Sequence, residues 1–145
     1  MNDRLYFRQL LSGSDFAKND QMAQQMVNFV YLIGDKQTRE CVIVDPAYAV
    51  NEIADIVQSE DMNLVGALGT HYHPDHVGGK MMGWNIEGIS SLLEISNIPI
   101  HIQKDEAEWV TKTTGVSASQ LTSHEGGDVI HVGEIPITLL HTPGH

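Results

Sequence analysis

Between positions 71 and 76 the chain sets three imidazoles and one carboxylate, His71-Tyr72-His73-Pro74-Asp75-His76, followed by Val77-Gly78-Gly79. His71 and His73 are two apart, so an extended backbone turns both rings to one face. Pro74 cannot donate to a sheet ladder and is expected to end that strand. Asp75 and His76 then fall in the turn beyond it. Two nitrogens at strand spacing, with a nitrogen and an oxygen from the next loop, suit a borderline metal such as zinc. Without a cation such groups crowd one another or stay unsatisfied. The cluster predicts a metal site.

Other reactive side chains carry less. His101, His124 and His131 stand singly and read as ordinary surface histidines. Cys41 is the single cysteine and lies in the apolar run Cys41-Val42-Ile43-Val44, so it reads as a small buried hydrophobe and not as a nucleophile. One cysteine allows no intramolecular disulfide, which suits a reducing cytoplasm.

The elements that must position the cluster are legible around it. Leu5–Leu11 reads as a first strand, and residues 12–25 as a polar excursion. Residues 27–33 and 40–44 are two apolar runs around Gly34-Asp35-Lys36, a hairpin pattern that leaves Asp45 at a strand end before Pro46. Val50, Ile53, Ala54 and Val57 recur at helical spacing. Residues 64–70 form the strand that delivers His71 and His73. Strand, helix, strand is the crossover of an α/β layer arrangement. Ile86, Ile89 and Leu93 mark a further helix, 98–102 a short strand, and 105–111 a helix with Asp105 and Glu108 spaced as a capping pair. Residues 129–132 and 135–140 read as a second hairpin turning at Gly133-Glu134, which leads to His141-Thr142-Pro143-Gly144-His145. Tyr72 alternates away from its neighbours and is expected to pack. Met81-Met82-Gly83-Trp84 is expected to fill core gaps behind the site, the alternative being a substrate-pocket wall or a homodimer face.

His71-Tyr72-His73-Pro74-Asp75-His76 resembles the HxHxDH signature of the metallo-β-lactamase superfamily, and His141–His145 looks like the segment that carries its next metal ligand. Val44-Asp45-Pro46 is similar to the acidic second-strand ending of the glyoxalase II-like branch. The resemblance implies an α/β fold, the αββα four-layer sandwich, of which residues 1–145 look like the first half of a domain incomplete at its C-terminus. It also implies two zinc ions, one held by His71, His73 and His145, the other by Asp75, His76 and downstream ligands. Asp75 is further the candidate catalytic carboxylate, able to orient hydroxide and take up its proton. Asp45 is expected to hold an imidazole in one tautomer. His141 is left as a strand-end residue.

The activity expected is hydrolysis of a thioester or ester-like bond in a small-molecule substrate. Oxidation of a persulfide sulfur at a single iron is the first alternative. A β-lactam hydrolase is a weaker one, and a non-catalytic metal-binding fragment applies if 145 residues are the whole protein. The net charge of −11 argues against nucleic acid or anionic membrane as partner. The N-terminus carries no apolar signal stretch, so the location expected is cytoplasmic. As half a sandwich, the chain is expected to expose apolar residues of 27–33 and 64–68 and to associate through them.

Overall fold

The computed structural model describes residues 3–144. In chain order the elements are β1 (Leu5–Leu11), α1 (Gln21–Met26), β2 (Phe29–Asp35), β3 (Glu40–Val44), α2 (Val50–Ser59), β4 (Asn63–Gly69), α3 (Pro74–Val77), β5 (Gly79–Met81) and β6 (Trp84–Ile86). They continue with α4 (Ile89–Ile95), β7 (Ile100–Gln103), α5 (Ala107–Thr114), a single 3-10 turn at Ala118–Gln120, β8 (Leu121–His124), β9 (Val129–Val132) and β10 (Ile135–Thr138).

Six strands form one sheet in the order β1-β2-β3-β4-β7-β8. The pairings of β1 with β2 and β2 with β3 are antiparallel, and the other three are parallel. The parallel pairing of β3 with β4 is made by the crossover through α2, whose Val50, Ile53 and Val57 are buried. Side chains on β3 alternate between two cores, as a strand period of two requires. Cys41 and Ile43 join the larger core with Ile53, Ile89, Leu92 and Val110 from the helices. Val42 faces the other way and meets Leu68, Ile130 and Val132. The result is a mixed α/β arrangement of helices, central sheet and covering hairpin.

That hairpin changes one expectation. Val30, Leu32 and Leu68 are buried, and Ile33 and Val65 pack against the cluster of Ile130 and Val132. Of the expected apolar patch only Val27 and Phe29 stay exposed, because β9 and β10 cover Ile33, Val65 and Leu68 while Val30 and Leu32 face the larger core on the other side of the sheet.

Four other stretches differ from the sequence reading or add to it. The excursion at 12–25 contains α1, stabilised at its N-terminus by the Asp20 carboxylate, which accepts from the Met22 and Ala23 amides. The helix expected from residue 105 starts at Ala107 with no side-chain cap, because the Asp105 amide instead donates to Gln103 Oε1 at 2.6 Å. Residues 121–124, for which no element was expected, form β8 on the sheet edge. Met82 and Trp84 are 73% and 48% exposed on the β5–β6 hairpin, so they do not fill the core, and only Met81 packs against it.

Asp35 joins three segments. Fully buried, it accepts from Arg4 Nη2 at 2.7 Å, Gln37 N at 2.8 Å and Glu134 N at 2.9 Å. Gly133 sits at φ 57, and a Cβ there would meet Asp35 Oδ2 at 2.6 Å, so the hairpin tip needs glycine to come this close. The Arg4 guanidinium, helped by these backbone donors, holds the Asp35 carboxyl well below the usual carboxylate range. Its folded value lies below its unfolded one, so this stabilisation is complete above the ordinary carboxylate value of 3.8 and is lost as pH falls from there. Asp35→Asn is therefore expected to lower Tm by several degrees at neutral pH, with the gap to the parent protein clearly narrowed at about pH 2. An equal gap at both pH values in thermal unfolding would contradict this account. No helix among the described residues is long and apolar enough to cross a membrane.

Candidate metal centre

β4 aims the chain at the cluster but stops short of it. A Cβ on Gly69 would meet Ile102 Cδ1 at 2.6 Å, so the strand end packs directly under β7. The Thr70 amide then leaves the ladder and donates to Asp45 Oδ1 at 2.7 Å. His71 and His73 consequently lie on the loop beyond the strand and not on the strand itself. Pro74 begins α3, at the first helical position, where its missing N–H leaves nothing unpaired. Asp75 and His76 thus sit on a single helical turn, closed by His76 N donating to His73 O at 2.9 Å.

This turn folds the rings onto one another. His71 lies 4.7 Å from His73, edge-on, and 4.2 Å from His76 between ring centroids. Asp75 is buried beside them, its Oδ2 3.6 Å from His76 Nε2.

Asp45, at φ 56 and almost fully buried, is the hub beneath the cluster. Its Oδ2 accepts from His76 Nδ1 at 2.8 Å and from the Thr70 hydroxyl at 2.7 Å. With its proton given to Asp45, the Thr70 oxygen accepts from His71 Nδ1 at 2.9 Å. A carboxylate only accepts, so His76 carries a proton on Nδ1, and the same logic through Thr70 protonates His71 there. Both rings then keep Nε2 as the nitrogen with a lone pair. Burial pulls the His76 pKa down, but the hydrogen bond and charge of Asp45, with the charge of Asp75, outweigh it and raise the net value.

Asn28 and Tyr48, which no motif singles out, complete the surroundings. Asn28 Nδ2 donates to Asp75 Oδ2 at 3.1 Å and lies 3.3 Å from His76 Nε2. The Tyr48 hydroxyl donates to Asn28 Oδ1 at 2.9 Å. Burial, then the charges of Asp75 and Asp20, push the Tyr48 phenol up, so it remains a protonated donor.

A cavity of about 400 Å³ opens beside the cluster, lined by His71, Tyr72, His73, Asp105, Glu106 and His141. Tyr72 packs, 5.8 Å from Trp109, with its amide donating to Glu106 Oε1 at 2.9 Å, but it does not alternate away from its neighbours: its ring lies 4.8 Å from that of His73 and lines the same cavity. His141 is exposed on the loop after β10, and His145 lies outside the described residues. His101 and His124 are not simple surface residues. His101 Nδ1 is 2.8 Å from His124 Nε2, and His124 Nδ1 is 3.1 Å from Asp128 Oδ2. Burial, then His124, lowers the His101 pKa. His131 is exposed on β9 as expected. Cys41 is fully buried, and burial, with the charge of Glu60, pushes its thiol up to about 12, which removes it as a nucleophile.

Among the described residues no three His, Cys, Asp or Glu side chains already close on one cation position. The donor chemistry nevertheless fits a borderline cation. Imidazoles anchored at Nδ1, as His71 and His76 are, beside a buried carboxylate are the groups that zinc or iron prefers.

A family model described as the metallo-beta-lactamase superfamily matches residues 24–145. The chain is 24% identical over 136 residues to the mitochondrial persulfide dioxygenase ETHE1 of Bos taurus, covering 92% of this chain and 46% of that protein. It is 29% identical over 118 residues to a hydroxyacylglutathione hydrolase of Pseudomonas paraeruginosa, covering 81% of this chain and 39% of that one. A metallo-beta-lactamase from Staphylococcus aureus has the same fold, with TM-score 0.68 at 20% identity over 99% of this chain and 36% of that one. The chain spans about half, or less, of the length of the curated relatives it matches. With the helix-and-sheet layers, the histidine-aspartate loop and the family match together, the chain belongs to the metallo-β-lactamase superfamily.

Proposed function

We propose that this protein is a metal-dependent hydrolase of a thioester or similar ester-like bond. The observation that carries the reading is the double anchorage of His71 and His76 on Asp45, one directly and one through Thr70, beside the buried carboxylate of Asp75. His71 and His73, with His145, would hold one ion, and Asp75 and His76 would contribute to a second, both of them zinc. Zinc in such a site lowers the pKa of bound water to near about 7 and so supplies hydroxide at neutral pH.

The chain's own groups do the rest. Asp75 orients the attacking water and takes up its proton as the carbonyl carbon becomes tetrahedral. Asp45 and Thr70 keep the imidazoles from turning their Nδ1–H edges into the site. The cavity beside Tyr72 is of a size that admits a small molecule. A single buried cysteine suits work in a reducing cytoplasm.

One observation favours a second reading, a persulfide dioxygenase with one iron: the alignment to that relative covers 92% of this chain. Elemental analysis and two assays separate the readings. Zinc near two equivalents with thioester cleavage is the expected result. One iron with oxygen consumption on a persulfide substrate would overturn it.

A further inference from the structure

We propose that Asn28 is a positioning residue for the Asp75–His76 pair, its amide tying the carboxylate to the imidazole. The inference rests on the metal-centre reading for its purpose, but its geometry stands without it. Asn28 is held through both its backbone and its side chain. Its backbone is clamped to the buried Ser12, with Asn28 N donating to Ser12 Oγ at 2.9 Å and Ser12 N donating to Asn28 O at 2.9 Å. The residue before it, Val27, ends α1 at φ 47, which fixes how the chain enters β2.

Tyr48 sets the sense of the amide. Its hydroxyl donates to Asn28 Oδ1, so the NH2 group must face the other way. There it meets Asp75 Oδ2 at 3.1 Å and His76 Nε2 at 3.3 Å. The two N–H bonds of one amide thus reach one acceptor on each side chain. His76 is then gripped at both ends, Nδ1 by Asp45 and Nε2 by Asn28. Tyr48 is itself held in place: it is buried, and its amide donates to Glu87 O at 2.9 Å.

A cation at His76 Nε2 would use the lone pair that the amide uses, whereas Asp75 Oδ2 can keep its hydrogen bond. With metal bound, the hold on His76 therefore passes from the amide to the ion. Asn28 earns its place by keeping the two donors aligned when no ion is there to do it.

The test uses the full-length protein stripped with a chelator, then reloaded with zinc alone. In Asn28→Ala the stripped protein is expected to melt several degrees below the parent, and zinc is expected to remove at least half of that deficit. The 15N shift of His76 Nε2 should also change in the stripped protein as that nitrogen loses its donor, while Nδ1 keeps its proton, hydrogen-bonded to Asp45. Tyr48→Phe, which deletes one oxygen, should move the same ring signals less far and serves if Asn28→Ala does not fold. Unchanged His76 signals in both variants, or a melting deficit that stays intact although zinc stabilises both proteins, would overturn the positioning role. If zinc shifts neither protein while the ring signals do change, the metal-centre reading fails and the positioning of His76 survives.

Discussion

Asp75→Asn is expected to cut kcat on a thioester substrate by about 100-fold or more in metal-saturated protein, with KM changed little. The figure is the lower end of what a positioned general base contributes, about 10²–10⁴-fold. Asn preserves shape and one carbonyl oxygen but loses the charge that holds hydroxide and accepts its proton. The substitution also sets an NH2 or a neutral carbonyl opposite the Asn28 amide, where an anionic oxygen now accepts at 3.1 Å. Saturation with metal separates proton transfer from ligand loss, so bound metal must be measured in the same samples. Near-parental kcat with full metal would remove Asp75 from the mechanism.

The second large effect belongs to His73. His73→Ala is expected to lower the affinity for the first ion by more than the roughly 10–100-fold typical of losing an outer hydrogen-bond partner. Elemental analysis after desalting should find at least one equivalent fewer than in the parent. The structure gives a control for folding damage. The His73 backbone carbonyl, which accepts from His76 N and Val77 N, is untouched by the substitution, so α3 should persist. Unchanged stoichiometry would sink the ligand assignment.

The cluster was legible because imidazoles and a carboxylate rarely share six positions without a cation to organise them, and this reasoning needs no tertiary information. Its backbone was not. Strand alternation through His71 and His73 is the natural reading of the sequence, but Asp45 captures the Thr70 amide across 25 residues and ends β4 at Gly69. Pro74 is ambiguous for the same kind of reason, since one residue can close a strand or open a helix, and the contact of His76 N with His73 O decides for the helix. Asp45 could be suspected from its place before Pro46. Thr70, Asn28 and Tyr48 could not, because each acts through partners brought close only by the sheet. The short polar β8 and the exposed Trp84 escaped for a matching reason: edge pairing and hairpin geometry, not hydrophobic periodicity, determine them.

The β9–β10 hairpin is fastened at both ends, its open one through Asp128, whose carboxylate accepts from the Glu125 amide at 3.0 Å and lies 3.1 Å from His124 Nδ1. Asp35 and Arg4 grip its tip at Gly133 and Glu134, while its open end runs through Leu139 into the loop that carries His141. A two-stranded ribbon held at both ends behaves as a bridge, passing a displacement at one abutment on to the other. Arg4, at the opposite margin of the fold, thus shares with Asp128 the task of presenting the chain after Thr138 to the His71–His76 loop. Loosening either anchor should blur the rim of the cavity before it disturbs the cluster itself.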